Sequence, residues 1–150
     1  LALNVQCNAG NRGLNSISKY FRADYVCMAA HELAMEIREK QVSKHEKVKL
    51  LSRRIECSRF TVTYGKSGTL HYDASGAVHE APALAVKVVD RVGAGDAVLA
   101  VTSLLVKLGA PWDIVGFIGN AAGAMLVAEL GNRVPLNRVT LSRYLVSLLK

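Results

Sequence analysis

At 150 residues, 51 % hydrophobic and 21 % charged, the chain has the size of one domain and enough apolar side chains for a core, which excludes a disordered polypeptide. Its 19 Lys and Arg against 12 Asp and Glu give a net charge of +7. The basic residues are scattered and lack interleaved aromatics, so the surplus argues against a nucleic-acid surface; residues 133–150 carry Arg133, Arg138, Arg143 and Lys150 and no acid. The cysteines, Cys7, Cys27 and Cys57, are odd in number and widely spaced. That pattern argues against a disulfide framework or a CxxC metal site and reads as buried, reduced thiols of a cytoplasmic protein. The longest uncharged run, Ile114–Ala128, is too short and too interrupted by glycine to span a bilayer, and no signal peptide is evident. Opening without methionine inside a strand-like run, the sequence is expected to be a fragment or a processed chain.

Leu1–Cys7 places Asn4 and Gln6 at alternating positions and predicts a strand, broken by Asn8–Asn11. Leu14–Phe21 predicts a short helix and Asp24–Met28 a buried strand. His31–Lys40 and Lys44–Cys57 carry apolar residues at helical spacing and predict two amphipathic surface helices. Arg59–Tyr64 and Thr69–Tyr72 predict the arms of a hairpin around Gly65–Gly68, and Gly76–Ala81 and Ala85–Val89 predict two further extended runs. After Asp90 a glycine-rich turn leads into a helix from Ala94 to Leu108, ended by Gly109. Pro111 opens a helix that runs to about Leu130 and stops at Gly131, and Asn137 or Thr140 caps a last helix ending near Lys150. Strands alternating with helices, followed by a helical tail, predict an α/β layered fold with a mainly parallel sheet.

The chemistry concentrates in Val88–Ala97, read as a strand running into a Gly93-Ala94-Gly95 turn that opens a helix. Backbone N–H groups at a helix start, aided by the dipole, bind anions, and glycine lets a phosphate approach the main chain. Asp96 is stabilised in that first turn but would repel a phosphate beside it. The two facts coexist if Asp96 faces a hydroxyl as general base while the amides hold a transferring phosphoryl group. Taken alone, the four residues can equally be a tight turn with Asp96 as a helix cap. There is no Walker A loop and no GxGxxG, so a different phosphate-binding design is needed.

DRVGAGDA (Asp90–Ala97), the upstream turn Thr63-Tyr64-Gly65-Lys66-Ser67-Gly68 and the downstream Asn120-Ala121-Ala122-Gly123-Ala124 occur in an order and spacing that resembles the ribokinase-like (PfkB family) carbohydrate kinases. The resemblance covers nearly the whole chain. It implies that residues 1–150 are the C-terminal part of such a domain, the ATP-binding and catalytic-base portion, in the ribokinase-like layered fold. It implies transfer of the ATP γ-phosphoryl group to a sugar or sugar-phosphate hydroxyl; Asn4–Asn15 resembles kinases of heptose phosphates, as in ADP-heptose synthesis.

Carried over by position, the resemblance makes Asp96 the catalytic base and Gly93, Ala94 and Gly95 the anion hole. Gly65, Lys66, Gly68 and Asn120 would contact ATP, with Gly65 and Gly68 under its phosphates and Asn120 in the adenine pocket. Glu32 would organise Mg2+ through water as the acid of an N-x-x-E motif whose asparagine position is Ala29, a departure from the pattern. Asp90 would hold a monovalent cation such as K+. Asn4, Gln6, Asn8 and Arg12 would form a polar set near the substrate. Arg91 and Val98 depart from the threonine and phenylalanine usual in the family. Each residue also has a plainer reading: Asp90 as a turn former, Asn120 as a helix–helix hydrogen bond, Lys66 and Glu32 as solvated charges, and the polar set as strand-end caps.

The resemblance implies partners in a sugar or sugar-phosphate substrate and the missing N-terminal half of the domain, with a homodimer compatible; the scattered charge and the short uncharged runs predict no nucleic-acid or membrane partner. The isolated chain is expected to be inactive. A non-catalytic nucleotide-binding remnant or assembly module is the alternative. His31, His45, His71 and His79 lack metal spacing and read as surface residues.

Overall fold

The computed structural model describes residues 1–7, 10, 14–131, 133 and 135–150. In chain order the elements are β1 (Ala2–Asn4), β2 (Tyr25–Ala29), α1 (Ala30–Glu36), α2 (Lys44–Arg54), β3 (Phe60–Thr63), β4 (Thr69–Tyr72), β5 (Val78–Ala81), α3 (Ala94–Lys107), α4 (Trp112–Val127) and α5 (Arg138–Leu148). Single 3-10 turns occur at Ile17–Lys19 and Gly65–Ser67. Among the described residues the sheet has five strands in the order β1-β2-β3-β4-β5. β1, β2 and β3 are parallel, with Leu3 opposite Val26 and Cys27 opposite Thr61. The link from β3 to β4 is too short for a parallel crossover, so β4 must return antiparallel. This is the α/β layered, mainly parallel architecture expected.

The chain divides into two compact units, residues 1–64 with 70–79 and residues 65–69 with 80–150. In the first, a core built from Val26, Phe60, Val62 and Leu70 on the strands meets Leu33 and Ile37 and the Val48, Leu51 and Ile55 stripe that follows α2. Apolar side chains three and four positions apart fall on one helix face, which is why α2 buries that stripe. Ser43 caps α2 by accepting from the Glu46 N–H at 3.2 Å, and Arg53 and Arg54 sit in its last turn, where the dipole favours positive charge.

In the second unit α3 packs on α4. Their contact is close because Gly119 and Gly123 have no side chain: a Cβ at Gly119 would stand 2.6 Å from Thr102 Cγ2, and one at Gly123 would stand 3.1 Å from Val98 Cγ2. The buried Thr102 hydroxyl donates back to Val98 O at 2.6 Å, so no polar atom is stranded in that contact. Asn137 caps α5, its side chain accepting from Thr140 N–H at 3.0 Å.

Four expectations need correction. Leu14–Phe21 supplies only the turn at Ile17–Lys19. Ala85–Val89 forms no strand: Val86 is fully exposed, Val88 and Val89 are 44 % exposed, and the Val89 and Asp90 N–H groups both donate to Val127 O at the end of α4. Cys27 and Cys57 are buried free thiols, whereas Cys7 is only half-buried. His71 is buried at 1 % exposure, because β4 is covered on both faces. His31, His45 and His79 are exposed. Among the described residues no helix is long and apolar enough to cross a membrane.

Candidate active site

The first unit holds Asn4, Gln6 and Glu32; the second holds Gly65, Lys66, Gly68, Asp90, Gly93–Asp96 and Asn120. Asn8 and Arg12 lie outside the described residues. Asn4 is half-buried at the end of β1 and Gln6 is exposed beyond it.

Gly93 is the N-cap of α3 and adopts a left-handed conformation, φ +80°. A residue with a Cβ is strained there, so the glycine is what lets the chain turn sharply into the helix. Because Gly93 has no side chain, it supplies no side-chain cap to the first turn of the helix, where main-chain N–H groups begin. Ala94 N–H reaches Arg91 O, but at 3.4 Å. A Cβ at Gly95 would meet nothing within 4 Å, so the approach to this turn is open. Asp96 is exposed in the same turn.

Asp90 ties the approach to this helix to the end of α4. Its carboxylate accepts from Val92 N–H and from Gly131 N–H, each at 3.0 Å. The Val92 bond, then the Gly131 bond, lower its pKa below the ordinary value by stabilising the charged form. Asp90 thus does act as a turn former, although no strand precedes it. Gly131, read from the sequence only as a helix stop, is its partner; the φ of +63° fits that stop, but no local signal announces the bond.

The Gly65–Gly68 turn closes with Gly68 N–H donating to Gly65 O at 3.1 Å, and both glycines have positive φ. Gly68 is buried and Lys66 exposed. Asn120, 8 % exposed on α4, donates from Nδ2 to Ala81 O at 3.2 Å and to Pro82 O at 2.7 Å. Its bonds therefore go to the chain leaving β5, which corrects the helix–helix alternative. In the first unit Glu32 accepts from Cys7 N–H at 3.0 Å through Oε1 and from Ala29 N–H at 2.7 Å through Oε2. It holds the end of β1 to the start of α1 and is buried, which corrects its reading as a solvated acid.

A mostly apolar cleft of about 370 Å³ in the second unit is lined by Val86, Lys87, Met125, Glu129, Leu136 and Tyr144 among others, and by none of the site residues predicted from sequence.

A model of the pfkB family of carbohydrate kinases matches residues 6–138. The chain belongs to that family. The Bradyrhizobium diazoefficiens "Bifunctional protein HldE" is 37 % identical over 79 residues, 53 % of this chain and 16 % of that protein. The Nitrobacter winogradskyi protein of the same name is 34 % identical over 94 residues, 63 % of this chain and 19 % of that protein. Among solved structures, Escherichia coli phosphofructokinase-2 in complex with potassium matches 86 % of this pfkB chain and 42 % of its own, with a TM-score of 0.71 and 19 % identity. Arabidopsis thaliana ribokinase complexed with ribose and ATP matches 81 % and 40 %, with a TM-score of 0.69 and 18 % identity. The chain thus spans under half the length of these kinase structures and under a fifth of the curated relatives.

Proposed function

We propose that the full-length protein transfers the terminal phosphoryl group of ATP to a hydroxyl of a sugar or sugar phosphate, with this chain supplying the nucleotide side of the site and the base. The observation that carries this reading is the start of α3: a left-handed glycine cap, open space at Gly95 and the exposed Asp96 in one helical turn. An oxygen-rich phosphoryl group fits a first turn whose N–H groups lack a side-chain cap. Asp96 takes the proton from the attacking hydroxyl as the new oxygen–phosphorus bond forms and ADP departs, while main-chain N–H groups of residues 94–96 offset the charge on the phosphoryl oxygens.

Mg2+ bound with ATP would supply further charge neutralisation. Glu32 would act toward it only through water, since both carboxylate oxygens already accept main-chain bonds. Asp90 would share its oxygens between a monovalent cation and the N–H groups of Val92 and Gly131. Gly65–Gly68 would lie under the nucleotide phosphates, and Asn4 and Gln6, with Asn8 and Arg12, near the substrate. The resemblance of residues 4–15 to heptose-phosphate kinases favours a sugar phosphate, and the word "bifunctional" in the relatives' name is compatible with a second activity in the full-length protein.

The test is incubation of the full-length protein with ATP, Mg2+ and a panel of sugars and sugar phosphates, followed by phosphorus NMR. A new phosphate ester with stoichiometric ADP is the expected result, and ATP persisting unchanged with every acceptor contradicts the reading. Ala29 at the asparagine position of the N-x-x-E motif favours one alternative, a non-catalytic remnant, which predicts nucleotide binding without ester formation.

A further inference from the structure

Asn120 sits on α4, yet Nδ2 of its amide is spent on the chain that leaves β5, donating to the carbonyl oxygens of Ala81 and Pro82. The same stretch of backbone is what Gly68 rests on. A Cβ at Gly68 would stand 2.0 Å from Ala81 O and 2.7 Å from both Pro82 C and Ala83 N. The Asn120 amide and the last residue of the Gly65–Gly68 turn therefore meet the same segment of main chain, residues 81–83, and share the Ala81 carbonyl oxygen. Gly68 also closes that turn through its bond to Gly65 O. Holding the two carbonyls fixes the surface against which the turn is pressed, since packed backbone at that distance cannot give.

We propose that Asn120 is a positioning residue for the Gly65–Gly68 turn, acting through the Ala81 and Pro82 carbonyls, and not a reader of the nucleotide base. This rests on the reading of that turn as the one under the ATP phosphates. With Nδ2 committed to main-chain carbonyls, base selection would fall to Oδ1 alone. Oδ1 can accept from the exocyclic amine of adenine but not from the guanine oxygen at the same position. A base reader therefore discriminates ATP from GTP, whereas a support for the phosphate turn weakens both alike.

The test uses the full-length protein carrying Asn120→Asp, which keeps the shape and removes the donor, and Asn120→Ser, which keeps one donor in case the first variant does not fold. Hydrogen exchange without nucleotide is expected to quicken by about tenfold in peptides covering residues 65–69, the loss of roughly one buried hydrogen bond, and to stay unchanged in α1 and α2. The KM values for ATP and GTP are expected to rise by the same factor, with the ratio of the two kcat/KM values held within about twofold. Wild-type exchange at 65–69 in a folded variant, or a tenfold shift in ATP-over-GTP preference, overturns the proposal. A protein that turns over neither nucleotide counts against the kinase reading, and the exchange result then decides the positioning on its own.

Discussion

The Glu32 carboxylate bridges Cys7 N–H and Ala29 N–H at 3.0 and 2.7 Å, so one buried side chain holds the end of β1 to the first turn of α1. Ala29 is the N-cap of that helix and has no oxygen with which to complete the reciprocal bond. Glu32 therefore does alone what a capping pair does elsewhere.

From this follows a pair of opposite effects. Ala29→Asn adds the missing cap acceptor and is expected to stabilise the chain by about 1 kcal/mol. Glu32→Gln exchanges one acceptor for a donor aimed at a main-chain N–H and is expected to cost about 1–3 kcal/mol. Urea denaturation of both variants at neutral pH checks the two signs.

The two glycines of the 65–68 turn separate conformational strain from steric clash. Gly65 has φ +57° and nothing within 4 Å of a Cβ, so Gly65→Ala carries only left-handed strain, about 1 kcal/mol. Gly68 has φ +83° and Ala81 O only 2.0 Å from a Cβ, so Gly68→Ala must displace backbone and is expected to cost more than about 2 kcal/mol. Thermal melts of the two variants should rank them in that order, and equal losses contradict the geometry.

Acid should weaken the fold through His71. The ring is buried in β4, its Nδ1 lies 2.8 Å from Thr61 Oγ1, and burial, with a smaller contribution from His79, lowers its pKa from 6.5 to about 4. Above 6.5 the ring is neutral folded or unfolded and contributes no pH dependence. Between 6.5 and about 4 the unfolded chain takes up the proton and the folded one does not, so stability falls with pH, by roughly 3 kcal/mol in all. His71→Gln should flatten the stability profile across that window in denaturant titrations. An unchanged slope contradicts the assignment.

The sequence was most readable where one local rule acts alone. The α2 stripe of Val48, Leu51 and Ile55 follows helical spacing, and Gly93 stands where a sharp entry to a helix needs a residue free of Cβ strain. It was least readable where distant partners decide. Val86, Val88 and Val89 have strand-like side chains, but their segment finds α4 instead of a strand partner, which no local pattern signals. His71 stands in the short strand-like run Thr69–Tyr72 and looks like an outward residue, yet a strand covered on both faces buries it. The bonds of Glu32 to Cys7, Asp90 to Gly131 and Asn120 to Pro82 join residues far apart in the chain. The polar residue types were visible, but the main-chain groups they would meet were not.

In the proposed reaction Asp96 accepts the substrate proton beside a phosphoryl group held at the start of α3. The most direct test of that step is the turnover of the full-length protein carrying Asp96→Asn, with ATP affinity measured on the same sample. Loss of the base without loss of the N–H groups should lower kcat by at least about a hundredfold and leave ATP affinity within about threefold of the parent. A variant that phosphorylates its sugar at near-parental rate would contradict the account.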